Sequence, residues 1–397
     1  MNWPIVQLGA LCNTVTKGTT PTSVGLSFSE TGIPFIRIQD IDHNTVSVSN
    51  CLYIDVHTHN ALERSKIRGG DFLITIAGTI GKVAIVPNGF PESNCNQAIA
   101  ILRFDKKKLH PHFLRYWLAT DKAVNQIGSK KVTATISNLS LGQIKQLQIP
   151  LPPLEEQKRI AAILDKVDAI RQKRQQALAL ADDFLRSVFL DMFGDPVTNP
   201  KGWDEVILKD IADIRSGVTK GKIVKDDDAI TLPYMRVANV QDGYLDLSSI
   251  QEITVSQKDA KKSMLQIGDI LLTEGGDPDK LGRGHVWNGE IENCIHQNHI
   301  FSVRVMDRDY VRPSFLSSVI SSPRGKKYFL KVGKQTTGIA TINKTVLSEF
   351  LPFIPPLEMQ DKYLGIMKKV KEMPMYSECD YMKLFSSLSQ KAFSGQL

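Results

Sequence analysis

The side chains with the most chemical capacity in this sequence are scattered histidines, cysteines and carboxylates, and their spacing limits what they can do. Cys294-Ile-His296-Gln-Asn-His299 holds three metal-capable residues. No second cluster at useful spacing completes four ligands, so the segment reads as a strand near a binding surface. Cys12, Cys51, Cys95, Cys294 and Cys379 form an odd set without C-x-x-C, which indicates neither a disulfide framework nor a zinc cage. They are expected to be reduced and structural. Pro278-Asp279 is the first half of a nuclease-type carboxylate motif, but Glu290-Ile-Glu292 leads to Asn293 where a lysine would be needed. Gly78-Thr-Ile-Gly81-Lys82 is too short for a P-loop and lacks Ser or Thr after the lysine. The glycine-rich run 275–284 does not fit G-x-G-x-x-G and reads as a turn or a DNA-facing loop. No residue is assigned a catalytic, cofactor-binding or metal-binding role.

Binding chemistry is what remains. Lysine and arginine neutralise phosphates, while Arg, Asn and Gln present paired donors and acceptors to base edges. In the first part of the chain, Lys17, Thr19, Thr20, Arg37, Gln39, Thr79, Lys82, Asn96, Gln97, Lys130, Lys131 and Thr133 fall in predicted loops or strand ends. In the second part, Thr219, Lys220, Lys222, Arg236, Asn239, Arg283, His285, Gln297, Asn298, Lys334, Gln335 and Thr337 do the same. These are the candidate DNA-binding residues. Arg37 and Arg236 occupy matching positions, which also suits a buried scaffold role. Residues shared by the two parts should position, and unshared ones should discriminate.

Charge agrees with an acidic partner. The chain has 397 residues, a net charge of +7 and 42% hydrophobic residues, the balance of a soluble chain of two to three domains. Residues 1–150 carry 15 Lys+Arg against 9 Asp+Glu, whereas 201–350 carry 21 against 20. The basic excess therefore sits mainly in the first block. No stretch approaches a membrane span, and Met1-Asn2-Trp3-Pro4 lacks a signal-peptide pattern. A cytoplasmic location is expected.

The elements that must position these residues are written twice. Trp3-Pro-Ile-Val-Gln-Leu8 matches Trp203-Asp-Glu-Val-Ile-Leu208, and Pro34-Phe-Ile-Arg37 matches Pro233-Tyr-Met-Arg236. Gly70-Asp-Phe-Leu73 pairs with Gly268-Asp-Ile-Leu271, and Pro111-His-Phe-Leu114 with Pro313-Ser-Phe-Leu316. Ala134-Thr-Ile136 and Pro152-Pro-Leu-Glu155 recur as Ala340-Thr-Ile342 and Pro355-Pro-Leu-Glu358. Six matches in one order mark a duplicated domain, and the drifting offset places insertions in the loops. Short β-type runs broken by Gly, Pro, Asn and Asp predict an α+β fold for each copy.

Each copy ends in a helical region. From Pro153 to Phe193 neither Gly nor Pro intervenes, and Gly194-Asp-Pro196 closes the run. About 40 helical residues would make a rod of roughly 60 Å. A heptad seam through Ile160, Ile163, Val167, Ile170, Phe184 and Val188 calls for a partner helix. The region after Pro356 offers one through Tyr363, Ile366, Val370, Leu384 and Leu388. Pro374 should break that second rod into two pieces. The expected architecture is therefore two similar α+β domains, 1–152 and 197–355, with helical regions 153–196 and 356–397 pairing as an antiparallel coiled coil with pseudo-twofold symmetry.

Pro152-Pro-Leu-Glu-Glu-Gln-Lys-Arg-Ile160 opening a long helix, Asp191-Met-Phe-Gly-Asp195 closing it, and Ser389-Gln-Lys-Ala-Phe-Ser-Gly-Gln-Leu397 resemble the specificity subunit of type I restriction-modification enzymes. The likeness covers essentially the whole chain. It implies two target-recognition domains, each reading one half of a split, asymmetric DNA sequence. It also implies helices that fix the unread spacer and dock two DNA-methyltransferase subunits, to which restriction subunits are added. S-adenosylmethionine, ATP and Mg would belong to those partners, since this chain has no Asn/Asp-Pro-Pro-aromatic motif. Two other readings fit the duplication: a bidentate protein scaffold that does not bind DNA, and a single-chain methylating or cleaving enzyme, which the missing motifs disfavour.

Overall fold

Pre-proline residues end one element and proline opens the next, and this chain uses the device at matching points. The computed structural model describes residues 3–42, 44–129, 138–221, 224–276, 281–336, 339–373 and 381–397. The chain divides into two units, Met1–Gln175 with Glu378–Leu397, and Gln176–Ser377.

In the first unit, Ile5–Gln7 pairs antiparallel with Gln148–Pro150, so the beginning and end of the α+β part close on each other. One sheet has the order Cys12–Lys17, Ile99–Phe104, Phe72–Thr75, Val83–Ile85. A second has Leu52–Ile54, Ile33–Ile36, Ser93–Cys95, Lys66–Ile67, with Ser93–Cys95 parallel to Ile33–Ile36. Helices Pro111–Leu118, Asp121–Ser129 and Leu141–Lys145 follow. Phe72, Ile74, Leu102, Phe113, Leu114 and Trp117 form the main core with Ile160 and Leu164 of the long helix and Ala392 and Phe393 of helix Tyr381–Ser394.

The second unit repeats this order. Asp204–Glu205 pairs with Phe353–Ile354. The main sheet runs Ala212–Ser216, Ile300–Val305, Ile270–Thr273, Gly284–Val286, and the other Gln251–Ser256, Ala229–Met235, Ile295–His296. Helices Pro313–Ser321, Pro323–Val332 and Lys344–Ser348 correspond to the three of the first unit. A small extra sheet, Gly275–Gly276, Ile339–Thr341, Lys334–Thr336, is added here. Phe189, Met192 and Phe193 of the long helix and Tyr363 of helix Leu357–Lys371 enter this core, with Phe189 and Tyr363 ring centroids 5.5 Å apart.

Three frame interactions occur in both units. Gly70 (φ +84°) and Gly268 (φ +94°) take the left-handed conformation just before Asp71 and Asp269, a geometry that costs a residue with a Cβ. Asp71 then receives Arg103 Nε and Nη2 at 2.8 and 2.7 Å, and Asp269 receives Arg304 Nε and Nη2 at 2.6 and 2.7 Å. Both are fork-to-fork pairs of the strong, charge-assisted type. The third is a buried amide. Gln157 Oε1 accepts from His110 N at 2.9 Å while Nε2 donates to the carbonyls of Lys108 and Pro152 at 3.0 and 2.9 Å. Gln360 repeats it with Arg312 N at 2.9 Å and the carbonyls of Tyr310 and Pro355 at 3.2 and 2.8 Å.

The stretch without Gly or Pro forms one helix, Leu154–Phe193. Its buried face includes only part of the expected heptad seam: Ile160 is buried and Ile163, Val167 and Val188 are half-buried. Ile170 and Phe184 are each 51% exposed, whereas Leu164 and Phe193 are at 0% and 1%. Gln157, Ile160, Ala161, Leu164 and Asp168 are buried along the first part of the helix, with Ile160 and Leu164 in the first core, and Ala181 is buried further along. Ile160 and Tyr363 are buried in the cores of their own units, and Val370 is buried as well, which leaves the three little surface for an added subunit. Ile163, Val167, Val188, Ile366 and Leu388 are half-buried, and Leu384 is exposed. Helix Leu357–Lys371 ends at Glu372, and a separate helix begins at Tyr381; Pro374 lies outside the described residues.

Replacing Gln157 or Gln360 with alanine strands one N–H and two carbonyls in a dry site. Chemical denaturation should show a loss of about 2–4 kcal/mol for either variant, and a loss below about 0.5 kcal/mol would contradict the anchoring role.

Candidate nucleic-acid interface

Four segments converge in each unit, and a glycine is what lets the first two touch. A Cβ on Gly18 would lie 2.1 Å from the carbonyl oxygen of Cys95, and one on Gly217 1.9 Å from that of His296. Only glycine permits this backbone contact. It is secured by Thr19 N to Cys95 O (3.1 Å) in one unit and by Val218 N to His296 O (2.8 Å) in the other. The same turns are tied to the adjacent strand by Asn96 N to Ile36 O (3.0 Å) and Gln297 N to Met235 O (2.9 Å).

In the first unit this gathers Lys17, Thr19, Thr20, Asn96 and Gln97, with the Thr20 hydroxyl hydrogen-bonded to the Gln97 amide. Gln39 stands beside them on the short helical turn Ile38–Asp40. The hairpin turn carrying Thr79 and Lys82 reaches the same turn, since a Cβ on Gly78 would lie 3.6 Å from Ile38 Cδ1. Lys17 and Lys82 are exposed, and neither is paired with a described residue.

The second unit gathers Thr219, Lys220, Gln297 and Asn298 in the same way, with Thr219 and Lys220 exposed. Arg283 Nη1 donates to Gln241 Oε1 at 3.3 Å, and Gln241 in turn donates to the carbonyl of Ala238 at 2.7 Å. His285 is not part of this group. It lines a cavity of about 260 Å3 with Ser317, Ser318 and Lys371, and burial lowers its tendency to protonate. Lys130, Lys131, Thr133, Lys222 and Thr337 lie outside the described residues, as does the Ala134-Thr-Ile136 repeat. Lys334 and Gln335 are located only as part of strand Lys334–Thr336.

Arg37, Arg236 and Asn239 all have partners within the frame of their own unit. Arg37 N and Nε donate to Asp40 Oδ2 at 2.8 and 3.2 Å, and Nη2 donates to Asn50 O at 2.7 Å. Arg236 Nη2 donates to Ser249 O at 2.8 Å, and its N–H goes to Asn239 Oδ1 at 2.9 Å. Asn239, 2% exposed, spends its amide on Asp246 O and Ser249 O. Asn239 is a buried group with its partners inside the frame, whereas Arg37 and Arg236 are half-buried, and Arg236 Nε has no partner among the described residues. Matching arginines in both copies were the signal for this place in the frame. The Asp–Arg forks and buried glutamines carried the same signal and were not singled out.

The two histidines of Cys294-Ile-His296-Gln-Asn-His299 have different partners. His296 Nδ1 sits 2.9 Å from the carbonyl of Ser263, and His299 Nδ1 2.6 Å from Glu274 Oε2. Burial holds the His296 imidazole below its ordinary 6.5, and it pushes the Cys294 thiol up to about 12. Among the described residues no group of three His, Cys, Asp or Glu is placed to hold a metal ion, and no described helix is long and apolar enough to cross a membrane.

One frame built twice, carrying unlike polar turns at matching places, defines a two-headed recognition protein. Comparison with known proteins makes this specific. The model of the type I restriction modification DNA specificity domain matches residues 1–180 and 200–373, and the chain belongs to that family. The StySPI specificity subunit of Salmonella potsdam is 24% identical over 394 residues, 92% of this chain and 82% of that one. The EcoKI specificity subunit of Escherichia coli K12 is 22% identical over 396 residues with the same coverage. The fold is shared with the crystal structure of the type I restriction-modification S subunit from M. genitalium (TM-score 0.57, 16% identity, 99% and 95% of the two chains). It is also shared with a chain from a structural study of type I restriction-modification complex assembly (TM-score 0.51, 21% identity, 100% and 98%). As a specificity subunit the chain supplies DNA sequence choice to a multi-subunit enzyme. It is itself non-catalytic.

A buried neutral histidine links stability to pH. With its folded value depressed, His296 takes up a proton more readily in the unfolded chain. Stability should therefore be flat above about pH 6.5 and fall below it, at up to about 1.4 kcal/mol per pH unit for one group. Denaturation midpoints should follow this course, and His296→Gln should reduce the slope, with half-buried His285 contributing to what remains. An unaltered slope in that variant would remove His296 as the cause.

Proposed function

We propose that the protein reads a bipartite, asymmetric DNA site, one half per unit. In this reading it docks two methyltransferase subunits, and through them restriction subunits, in the cytoplasm. S-adenosylmethionine, ATP and Mg would be held by those partners. The observation that carries this reading is the repetition of one frame with unlike turns. Lys17-Gly18-Thr19-Thr20 with Asn96-Gln97 in one unit faces a different alphabet from Val218-Thr219-Lys220 with Gln297-Asn298 in the other. Exposed Lys17, Lys82 and Lys220 supply phosphate neutralisation, and Thr19, Thr20, Gln39, Thr79, Asn96, Gln97, Thr219, Arg283, Gln297 and Asn298 are the base-edge candidates. Exposed Ile170, Leu180, Phe184 and Leu190 on the long helix support a docking role for that element.

Exchanging residues 1–150 for those of a family member should change one half of the modified sequence, read by mapping methylated adenines; a change in both halves would refute independent reading. Gel retardation should weaken steeply with salt, and a chain not retained by DNA at low salt would favour a protein scaffold.

Inserting four residues near Ala177-Leu178 lengthens the helix by about 6 Å. The preferred spacer should shift, or binding should be lost. An unchanged spacer preference would deny the helix that role.

A further inference from the structure

The two frames can be laid over each other residue by residue through their hydrogen bonds, and one position differs in kind. In the first unit, Ile76 N donates to Ala98 O at 2.8 Å, and both residues are buried. The equivalent bond in the second unit is Glu274 N to His299 O at 2.9 Å. Here the two side chains are charged or polar, lie 57% (His299) and 30% (Glu274) open to solvent, and meet through Nδ1 and Oε2 at 2.6 Å.

The backbone turn does not need this pair, since the first unit makes the same turn with Ala98 and Ile76. Stability does not require it either, because an exposed ion pair contributes about 0–1 kcal/mol. What the pair does is fix an imidazole on the turn that already presents Gln297 and Asn298. With Nδ1 engaged by the carboxylate, the free edge is Nε2, a single directional hydrogen-bonding atom. Where Asp40 and Asn239 differ, both stay buried and accept the same backbone bond; this position instead changes from buried apolar to exposed polar, and it lies on the converging turns.

We propose that His299, oriented by Glu274, is a sequence-discriminating contact of the second unit, meeting the edge of one base pair in duplex DNA. Glu274 is the positioning residue. The inference rests on the reading in which this unit recognises one half of a split site.

The test uses the full chain assembled with its own methyltransferase subunits and a duplex library randomised in both halves. For His299→Ala, preference at one position of the second unit's half-site should fall about tenfold, within the range of a single base contact, with every position of the other half unchanged. Glu274→Ala should relax the same position. His299→Gln, which keeps a hydrogen-bonding group, should alter the preferred base there, and it tests the proposal independently should the alanine variant unfold. A uniform weakening across all sequences would make His299 a phosphate contact and overturn the proposal, as would unaltered selection in both His299 variants. Wild-type protein that selects no bipartite sequence would instead overturn the reading on which the proposal rests.

Discussion

A carboxamide with nowhere else to go sets the rest of this structure. Gln157 and Gln360, exposed by 1% and 0%, each tie three backbone groups: the residue before a helix-opening proline, a carbonyl two residues upstream of it, and the carbonyl ahead of the helical region. Polar groups in such a place cost free energy unless paired. A helix that carries this glutamine is therefore fixed in position and rotation against its own domain. The Pro-Pro-Leu-Glu pair of motifs is the visible edge of this arrangement, and the glutamine two residues beyond the glutamate is its working part.

Around that anchor the protein separates two duties. Residues repeated in both units are turned inward: Arg37 and Arg236 hold the loops at Asn50 and Ser249, and the Asp71–Arg103 and Asp269–Arg304 forks clamp their sheets. Residues that differ sit on the converging turns. Exposed turn residues such as Lys17, Thr219 and Lys220 do not support the core, unlike the buried Val218, and the glycine contacts at 18 and 217 keep those turns in register. Sequence choice can therefore change by substitution without refolding.

Much of this was legible in the chain, for reasons that can be named. Duplication, α+β composition and the long helix follow from patterns that depend on local backbone preference and on order along the sequence. The face of the helix was legible only in part. A period of seven was expected from Ile163, Ile170, Ala177 and Phe184, yet Ile170 and Phe184 are exposed; which side of a helix is buried is decided by the domain at each end, not by the helix. Asn239 looked like a reader because asparagine suits adenine. Its burial comes from a turn whose geometry depends on Arg236, a tertiary fact. His285 and His299 are alike in type, and only the fold puts one against a serine-lined cavity and the other on a reading turn.

The core of the first unit contains a helix, Tyr381–Ser394, that the ribosome makes only after the whole of the second unit. The rings of Phe113 and Phe393 meet at a tilt with centroids 5.2 Å apart, and Ala392 is fully enclosed with Ile160 and Leu164. During synthesis the earlier unit must wait with an uncovered apolar seam, and a chain cut short by a nonsense codon anywhere before residue 381 would leave that seam open.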